Sequence, residues 1–534
     1  MCSRLRWMVL IVVLVWSVVN VVAQCPDRPP TGSIVDDPLA LTAQNGVLSA
    51  QLVMQHSVDG SGYTHYCYNY NTGSGIAEAP TLRVTPGDEL DLEVVNRIQE
   101  DAETKKQMKL RPGMAMPMPM AMPESRGANC ADGGMMTINS TNVHYHGMNV
   151  APICRQDDLI NTVIQPGTPG YKYKIPIPAT QPPGLYWYHP HVHGFAEFQV
   201  NGGAAGALIV EGMEKVHPEV AGLTERVFIV RQQFQVPWIP GPYQLTINYQ
   251  VVPGIGGAKP VIQMKPGEKQ FWRVANATNQ DFLPLQVIMN GSPQPLQLVA
   301  LDGYPLAQIR TQDTILIPPA GRAEFIVQAP PTDTGMFLFV QDYSTGPTGN
   351  PDLQQSLAAI QISSNNANYS HMPKAASSPS PVKLKYADLA RQPVTAERKL
   401  FFSEEFAGTN GPIQFYITVE GQKQRVFEGN EKPVITTKVG AVEDWTIENR
   451  ALETHAFHIH QIHFQVLEVD GKPVENSDLR DTIEVPFWEG KGPYHSVKLR
   501  MDFRDPTIAG TFMFHCHILL HEDLGMMHKI LVEP

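Results

Sequence analysis

The stretch Gly510-Thr511-Phe512-Met513-Phe514-His515-Cys516-His517-Ile518-Leu519-Leu520-His521-Glu522-Asp523-Leu524-Gly525-Met526 decides how the rest of the chain is read. Taken as a strand from Phe512 to His517, it presents alternate side chains to opposite faces. Cys516 then points to one side, and His515 and His517 to the other, so one strand serves two sites. Cys516 with His521 and Met526 supplies a thiolate, an imidazole and a weak axial thioether. A second imidazole from elsewhere would complete the ligand pattern of a blue-copper electron-transfer site.

The same late strand occurs three times, as Gly184-Leu185-Tyr186-Trp187-Tyr188-His189, Gly335-Met336-Phe337-Leu338-Phe339-Val340 and Gly510-Thr511-Phe512-Met513-Phe514-His515. A second repeat precedes it: a strand, a turn glycine and a further strand ending in Asn, at Thr81 to Gly87 to Asn96, Val261 to Gly267 to Asn276, and Val434 to Gly440 to Asn449. The glycine-to-asparagine spacing is equal in all copies. Such recurrence implies an all-β chain of three consecutive modules, each of two packed antiparallel sheets with Greek-key connections. The expected divisions are a first domain over 24–212 with a methionine-rich insert at 108–136, a second over 224–362, a linker over 363–397 and a third over 398–534. Where the outer copies place a histidine the middle copy has Val340, so the second domain is expected to hold no metal ligand.

Three further clusters are His144-Tyr145-His146-Gly147, Trp187-Tyr188-His189-Pro190-His191 and His455-Ala456-Phe457-His458-Ile459-His460. On a strand, an HxH pair sets both imidazoles on one face, a pincer suited to neighbouring ions, and neutral imidazole favours Cu, Zn or Fe. Here the chain resembles the multicopper oxidase family, which includes laccases, cuprous oxidases and ferroxidases. Its pattern of HxHG, HxH, HxxHxH and HCHxxxHxxxxM is present in the expected order over nearly the whole mature chain.

The resemblance implies cupredoxin-like domains and about four copper ions. It makes His455, Cys516, His521 and Met526 the mononuclear type 1 site, and His144 and His458 the type 2 ligands. His146, His189, His191, His460, His515 and His517 would hold the coupled type 3 pair. All these histidines fall in the first and third domains, so the cluster is expected at their interface. Electrons from a small reducing substrate would cross Cys516 and the flanking peptides to His515 and His517, where O2 is reduced to water. Asp157, Asp158 and Glu522 match acidic positions of the family and are the candidate proton donors. His193, His463 and His528 lie beside the motifs and are read as supporting or merely local. His56, His65, His217, His371 and His495 are read as structural.

The 534 residues carry 17% charged residues, 42 Gly and 46 Pro, a balance that fits a turn-rich β protein. The net charge of −12 argues against a nucleic-acid partner. Arg4 and Arg6, an apolar run from Trp7 to Val19 and Val21-Val22-Ala23 before Gln24 read as a Sec-type signal peptide over 1–23, hence a secreted or periplasmic protein. An uncleaved anchor is the alternative, and no later segment is apolar enough to cross a membrane. With Cys2 in the signal and Cys516 at the metal, the remaining cysteines suggest Cys25–Cys67 and Cys130–Cys154 disulfides, or a buried free thiol among them.

The tract containing Met114, Met116, Met118, Met120 and Met122 has too many prolines for a helix. Its thioethers suit Cu(I), and a flexible loop is the competing reading. Methionine-rich inserts of the cuprous-oxidase branch lie in the third domain, whereas this one precedes the first HxHG. The leading expectation is a laccase-like oxidase of phenols; the alternatives are a metallo-oxidase of Cu(I) or Fe(II) and a copper-binding or scaffold protein without turnover. The complete ligand set favours catalysis.

Overall fold

In each repeat the turn glycine takes a left-handed backbone, with φ of 96° at Gly87, 70° at Gly267 and 98° at Gly440, which only glycine adopts without penalty. The asparagine closing each repeat is a clamp. Asn96 donates to the carbonyls of Asn139 and Ile164, Asn276 to those of Asp281 and Ile317, and Asn449 to those of Glu453 and Val485. Each side-chain oxygen also accepts the backbone N–H two residues on, from Ile98, Thr278 and Ala451. One short polar side chain thus satisfies buried backbone groups of its own turn and of a distant segment, which is why it recurs.

The computed structural model describes residues 24–58, 64–99, 136–233, 244–254, 256–364, 384–406 and 413–534. The expected signal peptide, Cys130, His371 and Met114 to Met122 lie outside them. The described residues are almost entirely β and form six sheets, two to each module. Alternation decides which face is buried: Glu89–Asn96 alternates half-buried and buried positions along its whole length. Each module encloses its own apolar core. The strand Thr224–Gln233 is instead buried at every position. Its Val227 and Ile229 pack with Leu185, Trp187 and Ile209 of the first domain in a separate apolar cluster that joins the two modules.

The described part of the expected linker is partly core: Tyr386 and Leu389 are buried and pack with Tyr304, Val442 and Leu479. Cys25 and Cys67 form a disulfide. Cys154 is also disulfide-bonded. Among the described residues no helix is long and apolar enough to cross a membrane.

Candidate metal centres

Two strand pairs carry His144, His146, His189, His455, His458 and His515, and His191, His460 and His517 follow just beyond the strand ends. His144–His146 lies antiparallel to Gly184–His189, with His144 opposite His189. In the third domain His455–Ile459 lies antiparallel to Gly510–Cys516, with His458 opposite His515 and Phe457 opposite Cys516. Alternation along Gly510–Cys516 sends His515 and Cys516 to different faces, as expected.

On one face, Cys516 Sγ lies 3.5 Å from His455 Nδ1 and 3.9 Å from His521 Nδ1, and the two nitrogens are 3.3 Å apart. Metal bonds of about 2.0–2.3 Å at trigonal to tetrahedral angles separate ligand atoms by about 3.3–3.9 Å, so these atoms fit one ion. Met526 is buried in the same core. Burial pushes the Cys516 thiol well up. The outer edges of both imidazoles face carboxylates: His455 Nε2 is 3.2 Å from Glu404, and His521 Nε2 is 3.6 Å from Glu453. Burial, and then the Glu404 charge, pushes Glu453 up to about 8. Phe415 stacks on His521 with ring centroids 4.1 Å apart.

On the other face the first- and third-domain histidines interleave. His144 stacks on His460 at 4.0 Å and His146 on His458 at 3.9 Å. His515 Nε2 lies 3.0 Å from His460 Nε2 and 3.4 Å from His191 Nε2. His517 sits 5.1 Å from His146 and 5.5 Å from His189, ring centre to ring centre. All these imidazoles are buried. Burial, then the neighbouring rings, holds His146, His189, His191, His458, His460 and His517 far below the usual histidine range. Burial lowers His515 to about 3. They are neutral, the state a metal ligand needs.

The fit to metal is visible in what each ring leaves free. His144 Nδ1 is 3.0 Å from Asp157, His458 Nδ1 is 2.8 Å from the Asp481 carbonyl, and His189 Nδ1 is 2.9 Å from the Pro190 carbonyl. Their Nε2 atoms are buried without a hydrogen-bond partner, as are Nδ1 of His146 and both nitrogens of His517. Orphaned polar atoms at this density are costly unless something binds them.

The expected acids part company. Asp157 touches His144 and also accepts the Tyr145 N–H. Asp158 accepts from the Asn161 backbone and amide at 3.2 and 3.0 Å. Glu522 is fully buried, with its oxygens 3.4 Å from His191 Nε2 and 3.2 Å from His515 Nδ1. Burial raises it well above the carboxylate range.

Sequence reasoning missed Asp481 and Arg322. Asp481 lies 3.2 Å from His146 Nε2 and takes a two-pronged contact from Arg322 at 2.8 and 2.5 Å. Arg322 belongs to the second domain, where no metal ligand is expected. No local pattern marks this pair, because the contacts span 335 and 159 residues of chain. Gly147 is explained by it: a Cβ there would meet Asp481 Oδ2 at 2.5 Å and Arg322 Nη2 at 2.6 Å. Of the flanking histidines, His463 reaches the Asp302 carbonyl at 2.8 Å, while His193 and His528 are buried. His217 binds the Leu306 carbonyl, His495 binds Asp470, His56 packs on Tyr66, and His65 is buried.

Family models described as multicopper oxidase match residues 136–215, 227–366 and 406–534. A multicopper oxidase of Staphylococcus haemolyticus is 24% identical over 512 residues, covering 90% of this chain and 91% of that protein. A laccase of Bacillus subtilis is 22% identical over 386 residues, covering 66% of this chain and 71% of that protein. The solved multicopper oxidase of Campylobacter jejuni, described as a metallo-oxidase, superposes with a TM-score of 0.65 at 23% identity over 95% of this chain and 96% of its own.

Proposed function

The chain belongs to the multicopper oxidase family, matched in three segments along its length, and we propose that it couples one-electron oxidation of a reducing substrate at His455, Cys516 and His521 to four-electron reduction of O2 to water at the interdomain histidine cluster. The convergence of His191, His460 and His515 Nε2 atoms on one point, a single peptide bond away from Cys516, carries this reading. His455, Cys516, His521 and Met526 would hold type 1 copper, and His144 and His458 type 2. His146, His189, His191, His460, His515 and His517 would hold the type 3 pair. When bound, copper supplies the one-electron relay at the first site and the multi-electron chemistry of O2 at the second.

The chain contributes the rest. Peptide bonds on either side of Cys516 join the two sites covalently, a short path for electrons. Asp157 and the Asp481 carbonyl turn His144 and His458 so that Nε2 faces inward. Glu522, kept protonated by burial beside His191 and His515, holds a proton where O2 reduction consumes one. Export to an oxidising compartment accords with the Cys25–Cys67 bond.

Two donor classes need different surroundings at the outer edges of His455 and His521. Glu404 and Glu453 at those edges favour a cuprous or ferrous cation over a phenol, since an arriving cation displaces the proton that burial and Glu404 keep on Glu453 and is then held by both carboxylates, a gain that a neutral phenol ring does not have. In this reading Met114, Met116, Met118, Met120 and Met122 gather Cu(I), and deleting them slows cuprous but not phenol oxidation. O2 uptake by the copper-loaded protein with ferrous ion, cuprous ion and a dimethoxyphenol tests the whole. Glu404→Gln with Glu453→Gln is expected to cut the cation rates about tenfold or more and leave the phenol rate within about twofold. Equal losses on all donors would reject the cation reading, and no uptake with any donor would reject the oxidase in favour of a scaffold.

A further inference from the structure

His521 and Glu522 ride on a helix of five residues, Leu519–Asp523, whose N-cap residue Ile518 makes no side-chain cap. So short a helix cannot hold itself together. Its first N–H groups are satisfied by the second domain instead. Leu519 N–H donates to the Asn279 carbonyl at 3.1 Å, and Leu520 N–H to Asn279 Oδ1 at 3.2 Å.

The other hydrogen of this junction returns through the first domain. Asn279 Nδ2 donates to Glu197 Oε1 at 3.1 Å. Glu197 lies in the first turn of another short helix, Ala196–Asn201, whose N-cap Phe195 also lacks a side-chain cap. Its Ala196 and Glu197 N–H groups donate to the two oxygens of Asp523, at 3.0 and 2.9 Å. The ring therefore closes: second domain to third, third to first, first back to second. Asn279, Glu197 and Asp523 are almost wholly buried, at 0, 2 and 3% exposure. Gln232 Oε1 fixes Asn279 from behind by accepting its N–H at 2.9 Å.

We propose that Asn279 is a positioning residue, which caps the helix bearing His521 and Glu522 from another domain and, with Glu197 and Asp523, makes the docking of all three domains the condition for placing both side chains. The second domain holds no ligand, yet it sets the mononuclear site. A helix end buried without partners is unstable, and capping across domains satisfies it only when the domains are assembled. The proposal rests on His521 being a ligand of the mononuclear site.

The test compares wild type, Asn279→Ala, Asn279→Asp, and Asn279→Asp combined with Glu197→Gln. Asn279→Asp keeps the cap acceptor but sets a carboxylate against Glu197. The double change exchanges donor and acceptor across the same contact and restores both bonds. Amide hydrogen exchange at Leu519 and Leu520 is measured on metal-free protein, and the visible and EPR spectra on copper-loaded protein. Exchange at Leu520, whose acceptor is the side chain removed, is expected in Asn279→Ala to be about fivefold to tenfold faster than in wild type, the factor of one lost cap, with a changed copper hyperfine splitting, whereas Leu519 keeps its main-chain acceptor. The double variant is expected to recover both relative to Asn279→Asp.

Unchanged exchange in Asn279→Ala, faster exchange with an unmoved spectrum, or a double variant no better than Asn279→Asp would each overturn the proposal. Should Asn279→Ala fail to fold, the comparison of Asn279→Asp with the double variant decides alone. A colourless copper-loaded wild type would instead overturn the assignment of the mononuclear site, while exchange in the metal-free protein would still report on the cap.

Discussion

Cys516 is a buried thiol whose proton burial makes harder to remove, so metal uptake has to displace that proton. Its neighbours His515 and His517 lie on the opposite face, where the proposed cluster would bind independently of it. Cys516→Ser is therefore expected to abolish the intense blue absorption and lower O2 uptake by about a thousandfold or more, while copper content falls by about one ion in four. Absorption spectra and elemental analysis check both. At Gly147 the backbone is left-handed and the space beyond Cα is taken by Asp481 and Arg322. Gly147→Ala forces that buried pair apart, at a cost of about 3 kcal/mol or more. Lost cluster copper with a surviving blue centre, together with a lower denaturation midpoint, is the expected result.

Strands position the ligands, but the turns between them hold titrating groups. Between the strands Lys269–Ala277 and Leu283–Met289, Asp281 lies against Asp352, which accepts the Phe282 N–H at 2.8 Å. Gln232 donates to Asp281 from the neighbouring strand Thr224–Gln233, and Glu453 of the third domain adds negative charge near Asp352. Burial raises both acids above the carboxylate range, and the Asp281 charge raises Asp352 further. In the folded chain the pair keeps a proton that the unfolded chain gives up near its ordinary pKa. Folded protein thus binds more protons than unfolded through the weakly acidic and neutral range, and stability falls as pH rises there. It is fully present below the unfolded pKa. Asp352→Asn removes the repulsion and flattens this slope, as urea midpoints across the pH range would register; an unchanged slope would deny the pair its role.

At the scale of the molecule, the second domain is more than a spacer between the two modules that carry the candidate metal centres. Arg322 places its guanidinium wholly inside the protein between Asp302 and Asp481, and Asp481 abuts His146. Asp481 and Arg322 are both fully buried, so removing one leaves a charge with no compensation. Arg322→Leu is expected to cost about 3–5 kcal/mol and to lower copper retention at the cluster, although Arg322 reaches the proposed ligands only through Asp481. Denaturant titration and chelator-release rates measure both effects. Full stability with full copper retention would show that the first and third domains hold the cluster unaided.

The repeats, the all-β class and the candidate histidine and cysteine clusters were legible in the sequence because they are local. A strand's period of two decides that Cys516 and His515 face apart whatever surrounds them, and a turn that needs left-handed backbone keeps Gly87, Gly267 and Gly440 at matching places. Val340, where the outer copies have histidine, is the local signal for a middle module without ligands, and in the structure it is buried as packing. Asp157 and Asp158, adjacent in sequence, could be told apart only in three dimensions, where one reaches His144 and the other turns to Asn161. Asp481, Arg322, Glu404, Glu453 and Asn279 carried no local signature at all. The roles of Asp481, Arg322 and Asn279 come from charge compensation and helix capping across domain boundaries, and those of Glu404 and Glu453 from contacts between separate segments of the third domain; such energies exist only where folding brings distant parts of the chain within hydrogen-bonding distance and shuts out water.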